Sequence, residues 1–85
     1  SNMEKIKELL AEILSENSPV SAEEIDENAS LLDEVGLDSL QLINFILRVE
    51  DEFDIEIDFE NLDQEHLASV TAFAGYIQSC KGANV

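Results

Sequence analysis

Apolar residues recur at helical spacing in three stretches of the chain and alternate in a strand-like way in one. Between Met3 and Ser15, the residues Ile6, Leu9, Leu10, Ile13 and Leu14 are separated by Lys5, Lys7, Glu8 and Glu12. This is the pattern of an amphipathic helix of about three turns, which Asn17-Ser18-Pro19 ends. A long connection to Asp38 follows, with Ser21 and Glu24 placed to cap a short turn and Ile25, Leu31, Leu32, Val35 and Leu37 supplying buried anchors. The second helix is predicted from Ser39 to about Asp54, with Leu42, Ile43, Phe45, Ile46, Val49 and Phe53 on a broad inner face and Gln41, Arg48 and Glu52 opposite. Ile55-Glu56-Ile57-Asp58 alternates, but no second run exists to pair with it, so it reads as an extended connector. Asp58 or Asp63 can cap a short helix around Phe59 to Gln64. A last helix from about Ser69 carries Val70, Phe73, Ala74 and Ile77 inward, with Gly82 and a tail beyond it. The predicted fold is all-α: a four-helix bundle with three main helices, one short helix and a long first loop.

Length changes this picture little. At 85 residues the chain makes one domain with a small core. Ser1-Asn2 ahead of Met3 reads as a tag remnant outside the fold, which divides the chain into residues 1–2, a domain over 3–81 and a C-terminal tail over 82–85. On this reading the protein is free-standing. No apolar run approaches the roughly 20 residues of a spanning helix, and a cytoplasmic protein is expected. Cys80 is the only cysteine, so no intrachain disulfide can form.

Charge narrows the partners. Twenty acidic residues against four basic ones give a formal net charge of -16, and between Glu8 and Cys80 the only basic residue is Arg48. Nucleic acid and anionic membranes are poor partners for such a surface, whereas basic patches on other proteins are suitable ones.

The chemistry concentrates at Gly36-Leu37-Asp38-Ser39-Leu40. Asp38 at the N-cap and Gln41 three residues on form a capping box, and Leu37 with Leu42 can form a hydrophobic staple. Ser39 then falls at the first helical position, facing out, with a hydroxyl the cap does not need. The free N–H groups and positive dipole end of the helix favour an anion there, such as a phosphodiester. Taken alone, the same tripeptide is also an ordinary helix cap. Along the second helix, at about 100° per residue, Leu40 and Leu47 fall together on the shoulder of the apolar face, bordered by Asn44 and Asp51. They form a candidate docking strip beside Ser39, or they complete the core.

Other chemistries find no support. His66 is the only histidine and has no Cys or Ser partner at useful spacing, so it reads as a solvated surface residue. Asp54, Glu56, Asp58, Glu60 and Glu65 fall at several positions of a calcium loop, but Phe59 stands where that loop needs Gly and Leu62 stands at its ninth position. No metal site is expected.

Together these residues resemble the acyl carrier protein family over nearly the whole chain, from Met3 to about Lys81. The strongest segment is Asn28-Ala29-Ser30-Leu31-Leu32-Asp33-Glu34-Val35-Gly36-Leu37-Asp38-Ser39-Leu40, followed by Glu50-Asp51-Glu52-Phe53-Asp54 and Ile55-Glu56-Ile57. The resemblance implies that Ser39, flanked by Asp38 and Leu40, accepts 4'-phosphopantetheine from coenzyme A through a phosphopantetheinyl transferase. It implies a non-catalytic, monomeric carrier that holds acyl intermediates as thioesters on that arm for fatty acid, polyketide or related biosynthesis. It further implies that acyl-transferring and acyl-modifying enzymes with basic patches dock at Leu40, Asn44, Leu47, Arg48 and Asp51. Ile43, Ile46, Val49 and Phe53 would line the interior where a sequestered acyl tail lies. The chain departs from the family's pattern at Gln41, Asn44 and Arg48, where acidic or small residues are usual, and at Asp58-Phe59. The competing reading is a small acidic helical adaptor that binds basic protein surfaces without any prosthetic group.

Overall fold

In the computed structural model, which describes residues 1–83, three α-helices enclose one apolar core: α1 (Asn2–Leu14), α2 (Ser39–Phe53) and α3 (Val70–Ala83). There is no strand among the described residues. α1 packs against both other helices and against a 3-10 turn at Ala22–Glu24. The core is built from Ile6, Leu9, Leu10 and Ile13 of α1, Phe45, Ile46 and Val49 of α2, and Val70, Phe73 and Ile77 of α3. Ile25, Leu31, Leu37, Ile55, Ile57 and Leu67 close it from the connections. Phe45 and Phe73 meet with ring centroids 5.2 Å apart, and among the described residues no polar side chain is buried.

The ends of the first and last helices lie further out than the sequence reading placed them. Ser1 and Asn2 belong to the fold: the Ser1 hydroxyl accepts from the Glu4 N–H at 3.4 Å, and Asn2 opens α1. The Asn2 amide also bonds Gln78 and Lys81 of α3 at 3.4 and 3.5 Å. Gly82 lies inside α3 instead of beyond it. It does not take the left-handed conformation with which a glycine closes a helix. Residues 84 and 85 of the expected tail lie outside the described residues.

The expected short helix is instead two 3-10 turns, Phe59–Asn61 and Gln64–Leu67. Side chains here compete with a continuous α-ladder. Asp58 accepts from the Glu60 N–H at 3.0 Å and from the Asn61 side-chain amide at 2.6 Å, and the Asp63 N–H donates to His66 Nδ1 at 3.1 Å. Runs this short cannot offset helix nucleation. His66 is half-buried, with its ring 4.5 Å from that of Tyr76, so it is not the solvated surface residue expected.

α2 ends at Asp54, whose φ of 53° and ψ of 53° are left-handed. A side chain in that region costs free energy that glycine avoids, and a carboxylate there also opposes the negative end of the helix dipole. Asp54→Gly is therefore expected to stabilise the fold by about 1 kcal/mol, read as a higher urea midpoint at unchanged slope.

Tyr76 is the only tyrosine. Burial first, then the neighbouring Cys80 thiol and the charges of Asp58 and Glu50, raise its hydroxyl from 10.0 to about 12. The phenol is neutral in both states below pH 10. Above that the unfolded chain loses the proton first, so this contribution to stability is full below pH 10 and falls as pH rises toward about 12. Absorbance titration of the single phenol against a urea-unfolded control checks this. Coincident midpoints for the two states would contradict it.

Candidate functional site

The loop from Asn17 to Asp38 is tied by backbone bonds to distant elements. The Thr71 N–H at the start of α3 donates to the Glu27 carbonyl at 3.2 Å, and the Leu31 N–H donates to the Leu67 carbonyl at 3.0 Å. Glu34 and Val35 both donate to the Ser30 carbonyl, at 3.1 and 2.8 Å. Gly36 then reverses the chain at a φ of +83°, a conformation that side chains resist. The Leu37 N–H returns to the Leu31 carbonyl at 3.1 Å, and Leu37 itself is buried. These anchors present Asp38 and Ser39 to solvent at a defined place on the surface.

The capping box is present as its spacing predicts. The Gln41 N–H donates to Asp38 Oδ1 at 2.7 Å, and the Asp38 N–H donates to Gln41 Oε1 at 3.0 Å. The Leu42 N–H donates to the Asp38 carbonyl at 2.9 Å. Leu37 and Leu42 both pack on the core, as a staple requires. Ser39 is exposed at the first helical position and its hydroxyl makes no hydrogen bond among the described residues. Among the described residues the N–H groups of Ser39 and Leu40 are also uncommitted, and the first turn of α2 carries no acidic side chain. A nucleophilic oxygen and two free donors at a positive helix end fit a covalently held phosphodiester.

The outward side of α2 corrects one sequence expectation. Ile43, placed by the pattern in the interior, is 45% exposed, beside Leu40 at 67% and Leu47 at 50%. Phe45, Ile46 and Val49 aim at the core, and Ile43 sits about 100° round the helix from their mean direction, past the edge of what the neighbouring helices cover. Ile46 and Val49 are fully buried, and Phe53 is half-buried with the Lys81 ammonium 4.9 Å over its ring. Asn44 is half-buried and Asp51 exposed. Arg48 is not a free cation: its guanidinium is ion-paired with Glu12 of α1. Sequence reasoning missed that partner because the two residues lie 36 positions apart.

Two open hollows indent the surface. One is lined by Glu4, Lys7, Glu8, Ala22 and Glu23, and the other by Ser30, Leu32, Asp33, Gln64, Leu67 and Ala68. Neither gathers a catalytic pair. Among the described residues no three His, Cys, Asp or Glu side chains come together to hold a metal ion, and no helix is long and apolar enough to cross a membrane.

A small acidic helix bundle that holds one uncommitted serine at the exposed N-terminus of its central helix has the form of a carrier domain. Residues 4–77 match the family described as phosphopantetheine attachment site. The chain is 40% identical over 80 residues to an acyl carrier protein from Buchnera aphidicola subsp. Schizaphis graminum, covering 93% of this chain and 94% of that one. It is also similar to a solved acyl carrier protein structure from Enterococcus faecalis, with a TM-score of 0.62 and 30% identity over 94% of this chain and 99% of that chain. The chain belongs to the acyl carrier protein family. It is a carrier of acyl intermediates with covalently attached phosphopantetheine, not the prosthetic-group-free adaptor.

Proposed function

We propose that Ser39 is the attachment residue and that a phosphopantetheinyl transferase loads it from coenzyme A. The carrying observation is the exposed, uncommitted Ser39 hydroxyl, spared from capping because Asp38 does that work. The attached group supplies a terminal thiol that holds acyl intermediates of fatty acid, polyketide or related biosynthesis as thioesters. Asp38 holds the helix start in register, and Leu40 flanks the serine. The N–H groups of Ser39 and Leu40 offer donors to the phosphate oxygens.

The Asp38 carboxylate beside Ser39 is committed to the Gln41 N–H, so the serine's proton leaves to a group on the transferase. Ile46, Val49 and Phe53 give α2 an inner apolar surface on which an acyl tail can lie, a role that Ile43, being exposed, does not share. Partner enzymes are drawn by the net charge of -16 toward their own basic patches and meet the carrier along Leu40, Asn44, Leu47 and Asp51, with Arg48 on the flank. The carrier acts as a monomer. A cytoplasmic location agrees with the single unpaired cysteine.

Intact-protein mass spectrometry after incubation with coenzyme A and a broad-specificity transferase tests the assignment. One phosphopantetheinyl addition, mapped to the peptide containing Ser39, is expected. Addition elsewhere, or none by a transferase active on a control carrier, would overturn it.

A further inference from the structure

α1 packs closely against α2 and against α3, but α2 and α3 are bridged by side chains, chiefly the rings of Phe45 and Phe73 with centroids 5.2 Å apart. The contact continues outward. Phe73 lies 5.9 Å from Tyr76, and Tyr76 lies 4.5 Å from His66 of the second 3-10 turn, so four rings run in one chain from the core toward its edge. At the C-terminal end of α2 the Lys81 ammonium lies over the Phe53 ring. Phe45, Ile46 and Val49 of α2 and Val70, Phe73 and Ile77 of α3 all have 0% exposure, so no gap wide enough for a water molecule adjoins them. The two open hollows lie elsewhere. One is formed by α1 with the turn at Ala22–Glu24 and the other by the long loop with the second 3-10 turn; among the described residues, neither is lined by α2 or α3.

Resting on the assignment of Ser39 and the carrier role, we propose that the Phe45–Phe73 pair sets the class of cargo: an acyl group of about four carbons or fewer, or one polar along its length, whose thioester stays in solvent. Where room exists for a tail, each methylene it buries shifts the balance toward enclosure about fourfold. Here the room is taken. A long tail reaches the inner surface of Ile46 and Val49 only by parting Phe45 from Phe73, and it uncovers on the rings about as much apolar surface as it covers on itself. A short group has little to gain from burial and loses little by staying outside. A polar one is excluded on a second ground, because among the described residues no polar side chain is buried to receive its hydrogen bonds.

The test loads the parent chain, Phe73→Ala and the milder Phe73→Val from acetyl-, butyryl- and octanoyl-coenzyme A with the same broad-specificity transferase, loading being followed by intact mass. All are kept at about 500 mM NaCl, where screening favours the folded chain, and circular dichroism checks the helix content. Two quantities are read: the melting temperature, and the rate at which hydroxylamine cleaves the thioester, divided by the rate for the matching free acyl-coenzyme A. In the parent both should be independent of chain length, with relative rates within about twofold of one another. Phe73→Ala opens apolar space between α2 and α3, so its octanoyl form should melt higher than its acetyl form and be cleaved about tenfold more slowly, as for a tail enclosed about nine-tenths of the time. Phe73→Val should shift the same way by less. A parent octanoyl thioester cleaved more than about twofold more slowly than the acetyl one would show that the parent already encloses long tails, and would overturn the inference while leaving Ser39 as the attachment residue. Folded variants that treat octanoyl and acetyl alike would overturn it too, because the rings would not be what bars the tail. A parent chain that takes up no group from any of the three would overturn the Ser39 assignment and this inference with it.

Discussion

Replacing Ser39 by alanine is expected to abolish phosphopantetheine loading completely while leaving the melting temperature within measurement error. The side chain is exposed, makes no hydrogen bond among the described residues, and stands at a helical position where alanine is at least as favourable. Asp38→Ala gives the opposite balance. It removes an acceptor 2.7 Å from the Gln41 N–H and should cost about 1 kcal/mol of stability, as cap deletions do. Loading of Ser39 should continue in that variant at a reduced rate, because the helix start that presents it is frayed. Intact mass for loading and thermal melts for stability, read on both variants, separate the two roles. If Ser39→Ala lowered stability as much as Asp38→Ala, the hydroxyl would be part of the cap and its freedom for modification would be lost as an argument.

The same two residues mark where sequence reading succeeds. Capping chemistry is local: Asp38 and Gln41 must be three apart, and nothing else in the fold decides whether their bonds form. The inward set Phe45, Ile46 and Val49 was equally legible, because helical period fixes which residues share a face. The width of that face is a different matter. Whether Ile43 is inside depends on how far α1 and α3 wrap around α2, which no spacing within α2 encodes. Likewise the loop reads only as long and partly apolar, whereas its path is set by the Leu31 to Leu67 and Thr71 to Glu27 bonds between segments far apart in sequence. The 3-10 turns replaced a predicted helix because Asp58, Asn61 and His66 offered the backbone competing partners, a balance too fine for periodicity to resolve.

Phe45→Ala is expected to leave the chain largely unfolded at low ionic strength and substantially refolded on adding salt or a divalent cation. Phe45 is fully buried and packs its ring on Phe73 at the middle of the core, so truncation should cost about 3–5 kcal/mol. A domain of this size holds about 5–15 kcal/mol at best, and here charge reduces that reserve. All four basic side chains are already engaged: Lys5 with Glu8 at 3.4 Å, Lys7 with Glu27 at 3.5 Å, Arg48 with Glu12, and Lys81 over the Phe53 ring. The remaining carboxylates repel one another with no protein cation to offset them, and only solution ions can screen them. Circular dichroism of the parent and Phe45→Ala chains across a salt series checks both parts. The parent should melt at a higher temperature as salt rises, and the variant should gain helix signal over the same range. A parent midpoint indifferent to salt would mean that carboxylate repulsion is not what limits this fold, and the variant's instability would then have to come from the cavity alone.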